Sequence, residues 1–152
     1  MTFRSAERRW WKYTKPHSAG LAVTWEGNDP PFVHNASPLE YLDRLRAANL
    51  LLADDIRLEG LWRDAGGAWR VVTSQPDVPG NPATRDEIID SLAQAGWTIQ
   101  PQWQGLVYET SMSFRRGSWL MADVHPANFV RNPEGLAIPI DVVLTKHRSQ
   151  VL

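Results

Sequence analysis

Cysteine is absent from this sequence of 152 residues. Its absence excludes a disulfide framework, a thiolate nucleophile and a zinc site with sulfur ligands, and it fits a reducing compartment. Long apolar runs are missing too, because no segment approaches the roughly 20 residues that span a bilayer. The polar start, Met1 to Arg9, has no apolar signal-peptide region. We therefore expect a cytoplasmic protein without a membrane partner.

The sequence has no large excess of either charge, since sixteen Lys and Arg residues balance seventeen Asp and Glu residues. A formal charge of −1 provides no global field to hold a nucleic-acid backbone, so any anion must be bound locally. Apolar residues make up 43% of the chain, which is enough for one substantial core. We expect a single domain over residues 1–152 with no direct nucleic-acid signal.

Tryptophan is abundant, with eight residues spread over the whole chain. Tryptophan buries a large area and keeps one donor for a partner. We expect these side chains to fill the core and its rim rather than to stack on bases or sugars.

The first half of the chain has the pattern of strands around one helix. Residues 8–14 and 21–26 are strand-like and are expected to pair, and residues 27–35 look like a loop. Ser37, Pro38 and Glu40 form a capping box with proline at the first helical position, which predicts a helix from about residue 38 to 51. Its apolar stripe has near-helical spacing and is expected to press on a sheet; it contains Leu39, Leu42, Leu45 and Leu50, with Ala47 and Ala48 alongside. Residues 56–63 and 69–73 are predicted to form a hairpin around Asp64 to Gly67.

The second half predicts another helix and two short strands. Three prolines and a glycine in residues 74–83 indicate a stiff connection rather than a strand. Thr84 and Glu87 form a second capping box, and the helix is expected to stop at Gly96. Apolar strands are predicted at residues 119–122 and 136–140, with irregular structure over 97–108. The order of elements predicts an α+β fold.

The largely apolar stretch from Met121 to Val143 contains four polar residues suited to catalysis or metal binding: Asp123, His125, Asn128 and Asp141. Carboxylate and amide oxygens are hard donors suited to magnesium, and an aspartate ahead of them can hold or deprotonate a hydroxyl. Phosphoryl transfer needs such a set. Structural roles are open as well, since an aspartate can cap a turn and an asparagine can satisfy loop backbone groups.

The motif Asp-x-His-Pro-x-Asn, at Asp123 to Asn128, precedes the Ile140-Asp141 pair by the spacing found in aminoglycoside phosphotransferases and related kinase-like families, and it resembles their catalytic and metal loops. More narrowly, the chain resembles the kinase-like domain of bacterial polyvalent proteins of phages and mobile elements. This second resemblance rests on Arg9, Lys12, Thr14 and Pro16, and on the segments Pro38 to Leu42, Asp55 to Gly60, Thr73 to Pro76 and Asp123 to Asn128.

This resemblance implies a minimal protein-kinase-like fold, with a small antiparallel sheet and a packed helix in an N-lobe-like part (1–76) and a truncated C-lobe-like part (77–152). It implies Mg²⁺ and ATP as cofactors. Asp123 would be the catalytic aspartate, with His125 supporting its loop, and Asn128 and Asp141 would be the metal ligands. Lys12 would contact the nucleotide phosphates, with Lys15 close enough to compete. Thr73 and Gln75 would lie in the hinge beside the adenine.

Departures from the family pattern leave two functions open. There is no glycine-rich phosphate-covering motif, Met121 and Ala122 precede the aspartate, and Val142 follows Asp141. The chain is therefore expected to be either an atypical phosphotransferase for an unknown acceptor or a catalytically inactive, pseudokinase-type module that binds a nucleotide or a protein. The inactive module would have a partner protein or another domain docked on its surface. A third possibility is a piece of a longer polyprotein in which neighbouring domains supply the missing parts.

Overall fold

The computed structural model describes residues 1–149 and has a mixed α+β architecture. The chain forms two compact units. The first contains residues 1–22 and 35–77, and the second contains residues 23–34 and the described chain from residue 78 onward. A hairpin of β3 (Leu21–Thr24) and β4 (Phe32–Asn35) contributes residues to both units.

The first unit consists of one antiparallel sheet and one helix. Its elements are β1 (Thr2–Arg4), β2 (Arg9–Tyr13), α1 (Pro38–Leu52), β5 (Arg57–Arg63) and β6 (Trp69–Pro76). The strand order is β1-β2-β6-β5. The predicted hairpin around Asp64 is confirmed as β5 and β6.

The second unit contains two small antiparallel sheets and one helix. Its elements are β7 (Asn81–Pro82), α2 (Arg85–Gln94), β8 (Thr98–Ile99), β9 (Met112–Arg116), β10 (Trp119–Val124), β11 (Phe129–Arg131), β12 (Ala137–Pro139) and β13 (Val143–Lys146). The strand orders are β13-β10-β9-β8 and β12-β11-β7. Large side chains are fully buried here, among them Phe114, Phe129, Ile88 and Leu120.

Both predicted capping boxes are confirmed. The Ser37 hydroxyl accepts from the Glu40 amide while the Glu40 carboxylate accepts from the Ser37 amide, and Thr84 and Glu87 repeat the arrangement. These bonds satisfy backbone donors that a helix start leaves without partners. The local chemistry of each box therefore fixes where its helix begins.

The expected pairing of residues 8–14 with 21–26 is wrong. Strand β2 lies between β1 and β6. Strand β3 pairs instead with β4, which lies within residues 27–35, the segment expected to be a loop. Strand β6 is eight residues long and matches all five residues of β2, whereas β3 has only four residues. The longer partner satisfies more backbone groups.

The predicted apolar stripe of α1 is wrong for Leu39 and Leu50, which are 69% and 74% exposed. The buried residues of the helix are Ala47 and Ala48. Tyr41, near the helix start, packs on a cluster of small residues: Ala19, Ala22 and Ala36. Small side chains allow a closer approach than leucine would, so this face is the one that is covered.

The tryptophans divide between buried and exposed positions. Trp25 and Trp97 are buried in the second unit, as expected of core residues, but Trp62 and Trp69 of the first unit are 48% and 62% exposed. The expectation that tryptophan fills the core is wrong for these two. The first unit buries mainly alanine and valine, and Trp62 instead contacts Tyr13 in an edge-to-face pair at 5.6 Å between ring centroids.

Residues 74–83 include strand where none was predicted. Strand β6 continues to Pro76, and the edge strand β7 pairs with β11, an edge being the place where a sheet tolerates proline. Gly80 adopts a φ of 159°, and a Cβ atom there would lie 2.1 Å from the carbonyl oxygen of Arg131. Only glycine fits this close backbone approach.

Candidate functional site

Asp123 has an unusual backbone conformation within β10. Its φ is 60°, in the left-handed region, and the pairing of β10 with β9 shifts register between Met121 and Val124. Ala122 and Val124 on either side are fully buried, whereas the Asp123 side chain is 23% exposed. One partly exposed carboxylate thus lies between two core residues. Aspartate tolerates this region better than most residues.

Asn128 holds this conformation through its side-chain amide. Nδ2 donates to the Asp123 backbone carbonyl at 2.8 Å and to Asp123 Oδ2 at 3.1 Å. Two oxygens on one side of the amide require the NH₂ group there, which fixes the orientation of the amide. Oδ1 consequently lies on the opposite side, and no group within residues 1–149 donates to it.

His125 completes the group. Its Nε2 lies 3.0 Å from Asn128 Nδ2 and 3.3 Å from Asp123 Oδ1. The neutral ring can accept from Asn128 through Nε2, whereas the protonated ring can donate to Asp123 instead. The imidazole also lies against Tyr108, with 5.9 Å between ring centroids. The structure thus brings Asp123, His125 and Asn128 together.

Asp141 is connected to this group through the backbone. The amide of Ile140 donates to the carbonyl of Asn128 at 2.9 Å, so Asp141 follows a residue that is bonded to the loop, and it is exposed. Across the described chain, no group of three or more His, Cys, Asp or Glu side chains is arranged to hold a metal ion.

The predicted nucleotide residues lie side by side in the first unit. Lys12 on β2 is directly opposite Thr73 on β6, and Lys12 Nζ donates to Gln75 Oε1 at 2.9 Å. Gln75 Nε2 in turn donates to Asp54 Oδ2 at 2.8 Å. The Thr73 hydroxyl lies 3.1 Å from the hydroxyl of Tyr41. Lys12, Gln75 and Asp54 therefore form one chain of hydrogen bonds.

The Lys15 side chain is exposed, and the Lys15 backbone forms an isolated β-bridge with Ser18. Lys12 and its neighbours belong to one compact unit, whereas Asp123, His125 and Asn128 belong to the other.

A second polar network, around Arg9, was not predicted. Arg9 is only 7% exposed; its Nε donates to the Ser74 hydroxyl at 2.8 Å and its NH1 to Asp55 Oδ2 at 2.9 Å. The Ser74 hydroxyl donates to Glu59. Hydrogen bonds from Arg57 and then from Arg9 hold the pKa of Asp55 below its ordinary value. Asp55 and Ser74 lie 46 and 65 residues from Arg9 in the sequence, so no pattern within a single segment could predict these bonds.

No helix within residues 1–149 has both the length and the apolar character needed to cross a membrane. Comparisons with protein families, curated proteins and solved structures found no match to this chain.

Proposed function

We propose that this protein is an atypical, minimal kinase-like phosphotransferase that uses Mg-ATP. The observation that carries the proposal is the hold of Asn128 on Asp123, with bonds to both its carbonyl and its carboxylate. A residue that orients and deprotonates a hydroxyl must be fixed in position before the substrate arrives. Strained backbone held by neighbouring groups is typical of functional sites.

The donor set suits magnesium. Mg²⁺ is commonly bound by one or two protein oxygens together with substrate phosphates, so it does not require a cluster of three acidic side chains. Asn128 Oδ1 and the exposed Asp141 carboxylate supply two hard oxygens on segments joined by the Ile140 to Asn128 hydrogen bond. When bound, the ion would neutralise charge on the phosphates.

The protein side chains would have separate roles. Asp123 would accept a hydrogen bond from the acceptor hydroxyl and take its proton as the phosphoryl group is transferred. His125 would keep the loop in place through Asn128 and Asp123. Lys12 would steady the nucleotide phosphates, exchanging its bond to Gln75 for one to a phosphate oxygen, and Thr73 and Gln75 would lie beside the base.

One observation favours the alternative, an inactive pseudokinase-type module that binds a nucleotide or a protein. Lys12 is held by a neutral amide, and the Glu40 carboxylate accepts from the backbone of Ser37. A phosphate-binding lysine in a kinase is normally positioned by a helix carboxylate. With Glu40 used as a cap, the first unit would bind a ligand without assembling a competent site.

Calorimetric titration of Mg-ATP into wild type and the Asp141→Asn variant tests the proposal. We expect saturable binding by the wild type, weakened about tenfold or more by the substitution when Mg²⁺ is present, since one charged ligand is lost. The weakening should shrink when EDTA replaces Mg²⁺. Asp90→Asn, an exposed aspartate on α2, serves as the matched control and should bind normally.

Turnover separates the two functions. ADP release and self-phosphorylation would be followed in wild type and Asp123→Asn, a substitution that keeps a residue tolerant of positive φ. Binding retained and turnover lost in the variant supports the phosphotransferase. Binding without turnover in both proteins favours the inactive module, and no Mg-ATP binding by the wild type contradicts both nucleotide-dependent proposals.

A further inference from the structure

The second unit contains a pocket that shares no residue with the Asp123 group. It has a volume of about 420 Å³ and is lined by the turn Gly27 to Pro30 together with Trp25, Trp103, Arg115 and His147. This volume lies within the range of small-molecule sites. Its walls combine two indole rings with side chains of opposite charge, Asp29 and Arg115.

Arg115 is oriented in this pocket but is not neutralised. Its Nε donates to the carbonyl of Gly117 at 2.9 Å, and its guanidinium carbon lies 5.1 Å from the centroid of the Trp25 ring. No acceptor within residues 1–149 bonds to its two terminal nitrogens. These nitrogens form the edge of the guanidinium that binds a carboxylate through two parallel hydrogen bonds.

Asp29 supplies the opposite charge. It is exposed, and in the described part of the chain its carboxylate makes neither a hydrogen bond nor an ion pair. Arg115 and Asp29 therefore line the same pocket without pairing with each other. A ligand that carries both charges can satisfy both groups.

The aromatic wall consists of rings that contact one another. Trp25 is buried and meets Trp103 edge to face at 5.4 Å between centroids, and His147 packs on Trp25 at 4.6 Å. His147 Nε2 lies 2.8 Å from the carbonyl of Gly27, and because a carbonyl only accepts, Nε2 carries the proton. This bond joins His147 to the turn that carries Asp29, so the wall and the turn hold each other in place.

We propose that this pocket binds a free α-amino acid with an apolar or aromatic side chain. Arg115 takes the carboxylate, Asp29 takes the ammonium group, and the side chain lies against Trp25 and Trp103. A peptide terminus offers only one of the two charges, so the paired charges select a free amino acid over a peptide end.

Calorimetry with L-phenylalanine and two derivatives tests this site. N-acetylphenylalanine lacks the ammonium charge and phenylalanine amide lacks the carboxylate, so each should bind about tenfold or more weakly than phenylalanine. Equal binding of phenylalanine and its N-acetyl derivative would show a simple carboxylate site and overturn the proposal. Absence of saturable phenylalanine binding at millimolar concentration would overturn it too.

Two variants assign the charges. Asp29→Asn should weaken phenylalanine binding and leave N-acetylphenylalanine unchanged, whereas Arg115→Gln should weaken both. Arg116→Gln is the matched control, because Arg116 lies on the same strand with its guanidinium 4.6 Å over the separate ring of Trp97. It should bind phenylalanine like the wild type. If Asp29→Asn binds phenylalanine as the wild type does, the ammonium assignment is wrong and the proposal falls.

Discussion

The two polar networks of this protein are built over very different distances along the chain. The group of Asp123, His125 and Asn128 is contained in six residues, and its contacts join residues two to five positions apart. The Arg9 network joins Arg9 to Asp55, 46 positions away in the connection before β5, and to Ser74, 65 positions away on the paired strand β6. A short loop can place functional groups without much help from the fold, whereas the Arg9 network depends on the whole sheet of the first unit.

The largest expected effect on stability comes from removing Arg9, the centre of the long-range network. Replacing Arg9 by alanine removes hydrogen bonds to Ser74 and Asp55 and leaves the buried Ser74 hydroxyl without a donor. We expect the free energy of unfolding to fall by about 2–3 kcal/mol, as measured by urea denaturation.

Arg8 is the matched control for this substitution. Its side chain is 69% exposed and lies 3.7 Å from Asp77. Arg8→Ala should change stability by less than about 0.5 kcal/mol. If the two variants were equally stable, the Arg9 network would be a consequence of the fold rather than a support for it.

A smaller effect is expected in the local group. Glycine and alanine at position 123 both remove the carboxylate, but only glycine adopts a φ of 60° without strain. We expect Asp123→Gly to be more stable than Asp123→Ala by about 0.5–1 kcal/mol, since relief of the left-handed conformation exceeds the entropy cost of glycine. The reverse order in thermal unfolding would argue against a left-handed residue here.

Glu87 has one partner nearby in the sequence and one far away, and the contribution of both to stability depends on pH. Its carboxylate accepts from the Thr84 amide and from Arg131 at 2.7 Å, and these hydrogen bonds lower its pKa, the backbone bond contributing most. The sequence predicted only the cap. A lowered pKa contributes stability that is present above the ordinary glutamate pKa of about 4.3 and is lost as pH falls through the folded-state value.

The free energy of unfolding should therefore be higher for the wild type than for Glu87→Gln near neutral pH, and this difference should disappear as pH falls through the acidic range. Arg131→Gln should lose only part of this pH-dependent stability, because Glu87 still accepts the hydrogen bond from the Thr84 amide. If the difference in unfolding free energy did not change with pH, the charge of Glu87 would contribute nothing to stability.

What could be predicted from the sequence follows the same division. Both helix starts and the hairpin around Asp64 depend on residues three or four positions apart, and each was predicted correctly. The proximity of Asp123 and Asn128 is likewise a local property. The partner of β2 and the burial of Arg9 depend on which distant strand offers the longer match, and spacing within a segment carries no information about that choice.

The uneven distribution of indole rings gives each unit its own optical signature. Trp25 and Trp97, the deeply buried pair, both belong to the second unit, whereas Trp10, Trp62 and Trp69 of the first unit are open to water. Water around an excited indole shifts its emission to longer wavelength. Blue-shifted emission from the native protein therefore comes chiefly from the second unit, and its red shift on heating would report the unfolding of that unit without any added label.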